Sequence, residues 1–240
     1  MRWHAYPDSE TAAAACAQFI VARLEEALSG KEQATLALSG GSTPKPMFKT
    51  LAGLRFPWER VHVFWVDERA VPPDSPQSNY RLAAETFLTP AGVPQGNIHR
   101  ILAELAPEEA ARRYEQTVRD FFGLKPGELP HFDVIHRGMG ADAHTASLFP
   151  GEPLIGDRQG IAAAVYAQRL GQWRITLLPG VLESARNTVM LVTGADKAEV
   201  LRAVFQEPYA PERYPAQLGS RGGAMTWFLD EGVARLIAGG

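Results

Sequence analysis

Asp142 and His144 stand two residues apart in a segment that begins apolar, at Phe132, Val134 and Ile135, and then breaks into Gly138-Met139-Gly140. Imidazole, with an unperturbed pKa of about 6.5, titrates near neutrality and serves as a general base. A carboxylate beside it would orient the ring or raise its basicity. The apolar run reads as a buried strand, and glycines after it let the backbone turn sharply or admit a ligand. Thr145 is expected to cap a short apolar turn over 146–149. The same residues also have a plainer reading, a structural turn with a surface histidine.

Three other stretches carry residues suited to binding an anion. Ser39-Gly40-Gly41-Ser42-Thr43-Pro44 offers backbone N–H groups, hydroxyls and a helix N-terminus, which together suit a phosphate. Asp67-Glu68-Arg69 ends an apolar run, and Lys197 follows Thr193-Gly194 in the first turn of an expected helix. A lysine there opposes the helix dipole, and a bound anion would compensate. Against these readings stand a tight turn, a solvated charge cluster and a surface lysine.

Other chemistries lack their signatures. The glycine loop has neither Walker spacing nor G-x-G-x-x-G, so no nucleotide cofactor is expected. No serine sits in a G-x-S-x-G elbow. There is no H-E-x-x-H and no paired cysteine, and no metal is expected. Along a strand His131 and Asp133 share one face and His136 takes the other, which makes a poor chelate.

The elements that must position these residues alternate. Helices are expected over 9–28 (capped by Ser9, ended by Gly30), 44–53 (capped by Thr43 with Pro44 first), about 81–88, 107–122 and 196–205, with a terminal helix capped by Asp230. Strands are expected over 34–38, 61–66, 97–101, 132–135, 161–165, 175–178, 187–192 and 224–228. The pattern predicts an α/β fold, a doubly wound, mostly parallel sheet with helices on both faces. The polar stretches fall just after strands, so loops distant in sequence converge on the carboxyl edge of the sheet.

With 240 residues, 45% hydrophobic and 21% charged, the chain can build one substantial core. No linker or repeat divides it, and a single domain over 1–240 is expected. A net charge of -3 with scattered Lys and Arg argues against a nucleic-acid partner. The single Cys16 has no intrachain partner for a disulfide. No signal-peptide core or membrane span is visible, so the expected address is the cytoplasm and the expected state a monomer or weak homo-oligomer.

The chain resembles the 6-phosphogluconolactonase family over nearly its whole length. The matching pieces, in order, are LALSGGSTP, VDERAVPPDSPQSNYRLA, FDVIHRGMGADAHTASLFPG, RITLLPGVLESA, TGADKAEVL and YPAQL. The resemblance implies the fold shared with glucosamine-6-phosphate deaminase and ribose-5-phosphate isomerase. It also implies hydrolysis of a phosphosugar lactone in the pentose phosphate pathway, without metal or cofactor. His144 matches the histidine that activates water, with Asp142 beside it. Ser39, Gly40, Gly41, Ser42, Thr43, Arg69 and Lys197 match positions that hold the phosphate and sugar acid, and Arg174 is a candidate for the same wall.

Two departures stand out. The family usually has glycine where this chain has Ala143; if the backbone there is left-handed, alanine costs about 1 kcal/mol or more and could tilt His144. The family also usually has apolar residues at His136 and Arg137, which are costly if buried without partners. One of them could face the cleft as a positive contact. Two other functions compete. An amino-sugar phosphate deaminase or isomerase of this fold would carry Asn-Glu-Pro after the histidine, where this chain runs Thr145-Ala146-Ser147. A sugar-phosphate-binding module without catalysis is the third reading.

Overall fold

The computed structural model describes residues 1–237. The chain runs β1 (Arg2–Tyr6), α1 (Ser9–Gly30), β2 (Ala34–Leu38), α2 (Lys45–Gly53), β3 (Val61–Trp65), β4 (Asp67–Arg69), α3 (Asn79–Ala83), β5 (Ile98–His99) and α4 (Pro107–Phe122). It continues through β6 (Val134–Arg137), β7 (Ala162–Ala167), β8 (Gln172–Leu177), α5 (Pro179–Ser184), β9 (Thr188–Val192), α6 (Ala198–Gln206), β10 (Met225–Asp230) and α7 (Glu231–Ala234).

Seven strands form one sheet in the order β1-β10-β9-β6-β2-β3-β5, and every neighbouring pair is parallel. All residues of β2, β3, β6 and β9 are buried, the run of apolar positions expected of parallel strands covered on both faces. Register assigns the two faces. Leu36, Val63 and Val134 lie side by side, as do Ala37, Phe64 and Ile135 on the opposite face. On the face of Leu36, Phe19 of α1 packs on Phe228 and Phe48 of α2 meets His136. On the other, Phe121 of α4 packs on Phe64 and Phe205 of α6 on Trp227. Helices therefore cover both faces, as the alternating pattern predicts.

The strands expected over 161–165 and 175–178 do not join this sheet. They are β7 and β8, an antiparallel hairpin that pairs with β4 in a separate three-stranded sheet. Val66 links the two sheets: its N–H donates to Leu38 O at 2.9 Å, and its carbonyl accepts from Leu177 N at 2.8 Å. Asp67-Glu68-Arg69 is thus a short strand rather than the start of a loop. β1, absent from the expected pattern, pairs in parallel with β10.

Several helix boundaries differ locally. Asp8, not Ser9, caps α1: its carboxylate accepts from Thr11 N at 2.7 Å, which places Ser9 inside the first turn. Pro44, not Thr43, occupies the cap position of α2, and no side chain bonds there. The helix expected over 81–88 begins at Asn79 under a Ser78 cap and continues as a π-helical turn over Ala84–Leu88. Lys197 ends a 3₁₀ turn (Ala195–Lys197) and occupies the cap position of α6. α4 holds its expected bounds, with Pro107 first and Gly123 ending it at φ +61°. Asp230 caps α7 as expected, accepting from Val233 N at 2.8 Å.

Candidate functional site

Because the central strands are parallel, the segments following β2, β3, β6 and β9 leave the sheet at one edge. The order β9-β6-β2-β3 places the change of winding direction between β6 and β2. A crevice opens at such a point. A cavity of about 190 Å³ lies there, bordered by Ser39 through Pro44 on one side and by Gly138, Gly140 and His144 on the other. Asp67, Arg69 and Arg174 of the small sheet complete it.

His144 is fixed from several sides. Its Nδ1 lies 2.5 Å from Asp142 Oδ1, which also accepts from His144 N at 3.1 Å. Its ring lies 4.7 Å from that of Phe149. Burial pushes the Asp142 carboxyl up, but the hydrogen bond and charge of His144 together with backbone N–H groups outweigh it and hold the carboxyl down at about 2. An ionised carboxylate only accepts, so Nδ1 carries a proton, and in the neutral imidazole the lone pair is on Nε2. The loop is tied to itself: Gly140 N donates to His144 O at 2.9 Å, and Ala143 N to Gly140 O at 3.1 Å. Thr145 does not cap a helical turn; its hydroxyl donates to Gly138 O at 2.9 Å and closes the loop.

Ala143 stands at φ +67°, in the left-handed region. The anticipated backbone cost is therefore present, yet the Asp142–His144 hydrogen bond is made. The methyl group is fully buried in a cluster with Met190 and Ala216. Left-handed backbone costs a non-glycine residue about 1–2 kcal/mol. Glycine would relieve that, but would lose about 0.8 kcal/mol of burial and about 0.4–1 kcal/mol through the freer unfolded chain. The terms nearly cancel. Ala143→Gly is expected to shift unfolding stability in urea by less than about 1 kcal/mol. A gain well beyond that would show that the left-handed alanine is strained.

The arginines are placed by strand register. Arg69 of β4 pairs directly with Arg174 of β8. Arg69 Nη1 donates to Gln77 O at 2.6 Å, and Arg174 Nη1 lies 3.8 Å from Asp67 Oδ2. Burial lowers the Arg174 pKa, with Asp67 opposing that shift and Arg69 adding to it. The Nε atoms of both arginines are buried without a hydrogen-bond partner among the described residues. Two like charges on directly opposed residues repel, and an anion between them would relieve that.

Not every expected site residue borders this cavity. Lys197 lines an adjoining depression of about 380 Å³ together with Ser42 and Thr43, so the glycine loop forms a wall common to both. Burial lowers the Lys197 pKa, against the pull of Asp196 and Asp230. Asp142 borders an outer groove of about 580 Å³ with Tyr166, Arg169 and Arg213, and reaches the cavity through His144. Among the described residues, no group of three or more His, Cys, Asp or Glu side chains is placed to hold a metal ion. No helix among them is long and apolar enough to cross a membrane.

Glu68 and Asn79 were not among the expected site residues, and His136 was considered only as one of two alternatives for a cleft contact. The buried Glu68 carboxylate accepts from the N–H groups of Arg69, Asn79 and Tyr80, each at 2.8 Å, and from Ser78 Oγ at 3.0 Å. It thereby ties the 75–80 loop to β4. Asn79 Nδ2 donates to Asp67 O at 2.9 Å, and its oxygen packs against the glycine loop. A Cβ at Gly40 would fall 2.0 Å from that oxygen, so only glycine fits there. The signal for these residues was the S-N-Y run within the second matching piece. His136 lines the cavity, whereas Arg137 lies on the other face of the sheet, where Nη2 donates to Leu218 O at 2.6 Å. His136 is not the positive contact considered above, because burial pushes its pKa down to about 3.

A parallel sheet with its crevice at the change of winding, edged by a glycine loop and a paired histidine, places the chain among the α/β proteins that bind a ligand at the carboxyl edge of the sheet. The chain belongs to the glucosamine-6-phosphate isomerase/6-phosphogluconolactonase family, whose model matches residues 7–227. Within it, the chain is 40% identical to the 6-phosphogluconolactonase of Synechocystis sp. over 215 residues, 88% of either chain. The crystal structure of devB protein superposes with a TM-score of 0.89 at 34% identity, covering 98% of this chain and 99% of that one. The 6-phosphogluconolactonase of Trypanosoma brucei superposes with a TM-score of 0.85 at 27% identity, covering 98% and 97%.

Proposed function

We propose that this protein hydrolyses 6-phospho-D-glucono-1,5-lactone to 6-phospho-D-gluconate, with His144 as the base that activates water. The observation that carries this reading is a histidine with Nδ1 bonded to Asp142, across a small cavity from a glycine loop and two arginines. Nε2 takes a proton from water as the oxygen attacks the lactone carbonyl carbon. The tetrahedral intermediate then collapses, and the imidazolium returns the proton to the departing ring oxygen. A lactone is an activated ester, so a positioned base and stabilisation of the oxyanion suffice. Asp142 is a positioning residue: it fixes the tautomer and steadies the imidazolium between the two transfers.

Ser39, Gly40, Gly41, Ser42, Thr43, Arg69 and Lys197 bind the phosphate and the acid end of the sugar, with Arg174 on the same wall. Binding at the phosphate holds the carbonyl carbon near the base, so remote binding energy serves the chemical step. The segment after His144, Thr145 to Pro150, contains no carboxylate, which disfavours the ring-opening chemistry of a deaminase or isomerase.

The test is hydrolysis of freshly prepared 6-phosphogluconolactone, corrected for its spontaneous decay. Enzyme-dependent turnover is expected. Binding of 6-phosphogluconate without turnover would make the protein a sugar-phosphate-binding module instead. Lys197→Ala is expected to weaken calorimetric binding of 6-phosphogluconate by about 10-fold or more, since a hydrogen bond to a charged group is worth about 1.5–3 kcal/mol. Equal affinity would remove Lys197 from the anion site.

A further inference from the structure

His136 is 1% exposed, yet it borders the cavity, and neither ring nitrogen has a hydrogen-bond partner among the described residues. Its surroundings include the ring of Phe48, 6.5 Å away at 69°. A buried imidazole without partners is a cost to the free protein that an apolar residue at the same place would avoid. Burial keeps it neutral, so it offers one N–H donor and one lone pair.

Two more residues that line the cavity carry an uncharged atom in this condition. Ser39 Oγ and Asn79 Oδ1 are buried and unpartnered among the described residues. Asn79 presents an oxygen because its Nδ2 is taken by Asp67 O. The cavity thus has a cationic side, Arg69 and Arg174, and an uncharged side, Ser39, Asn79 and His136. Hydroxyl groups, each a donor and an acceptor, match an uncharged set of this kind.

We propose that His136 is a specificity residue that hydrogen-bonds a sugar hydroxyl of the bound phosphosugar, in the lactone and in its open-chain acid alike. This rests on the lactonase reading of the same cavity. His136 takes no proton from substrate or water; it selects and orients a polyhydroxylated sugar. A substrate lacking that hydroxyl leaves the imidazole unpaired, and a site built to bond a hydroxyl discriminates in that way.

The test compares His136→Leu and His136→Gln with the parent. It measures kcat and KM on fresh 6-phosphogluconolactone, calorimetric affinity for 6-phosphogluconate, and Tm. Leucine is expected to lower kcat/KM and the affinity by about 10- to 100-fold, mainly through KM. It is also expected to raise Tm by about 2–4 °C, because the unpaired polar group is gone. Glutamine, which keeps a donor and an acceptor, is expected to recover most of the affinity. Parent-like KM and affinity in the leucine variant overturn the proposal, and so does a glutamine variant that binds no better than leucine. A parent that fails to hydrolyse the lactone would sink the lactonase reading alone, since the affinities for 6-phosphogluconate still decide the role of His136.

Discussion

Replacing His144 by alanine is expected to lower kcat for lactone hydrolysis by about 10²- to 10⁴-fold, the range for removal of a positioned general base. The affinity for 6-phosphogluconate is expected to stay within a few-fold of the parent. The separation follows from where the parts sit. The base belongs to the loop after β6, whereas the expected anion contacts come from the loops after β2 and β9 and from the paired strands β4 and β8. Truncating the imidazole removes the group bonded to Asp142 at 2.5 Å and leaves those elements untouched. Kinetics on fresh lactone and calorimetry with 6-phosphogluconate, run on one preparation, check both halves. A variant that keeps the parent kcat would take His144 out of the chemistry.

Gly140→Ala is expected to cost nearly as much without touching an ionisable group. A Cβ at Gly140 would lie 2.1 Å from both Cε1 and Nδ1 of His144 and 2.9 Å from Asp142 Oδ1. Carbon atoms in contact sit at about 3.5–4.0 Å, so something must yield. The backbone is held on both sides, since Gly140 donates to His144 O and accepts from Ala143 N. The imidazole is therefore displaced from the carboxylate. A misplacement of about 1 Å can cost 10²-fold in rate, and we expect a loss of kcat of that size or larger. Gly53→Ala, at the end of α2 and away from the cavity, is the control, since its Cβ meets nothing within 4 Å. If both variants turn over like the parent, the contact between Asp142 and His144 is dispensable.

Much of this arrangement was legible in the sequence because local chemistry and the fold agree. α4 carries its own punctuation, with Pro107 at the start, Glu108 and Glu109 in the first turn and Gly123 at the end. The four polar stretches could be placed at one edge because each follows a short, predominantly apolar run of the kind parallel strands show. Pairing partners were not legible. β7 and β8 read as strands, but only register over long separations sets Arg174 opposite Arg69 in a second sheet. β1 escaped notice because Arg2 and His4 interrupt its apolar character and most of its residues are exposed. Alternation puts His136 and Arg137 on opposite faces, but which face meets the cavity depends on neighbours brought in by the rest of the chain. The left-handed backbone at Ala143 was legible only as a condition, because alanine gives no sign of such a conformation.

The pairing of Arg2–Tyr6 with Met225–Asp230 bears on how the protein is assembled during synthesis. The first of the described strands to be made docks on the last of them. The entropy of closing so long a loop is modest, about 0.6 kcal/mol for each doubling of length, so the finished protein tolerates it. The order of events is constrained more tightly, since distant pairings are slow to form. Residues 2–6 wait without a sheet partner while the intervening strands emerge and pair, and until they dock β10 presents an open edge. Arg2 and His4 suit a segment that must remain soluble while it waits.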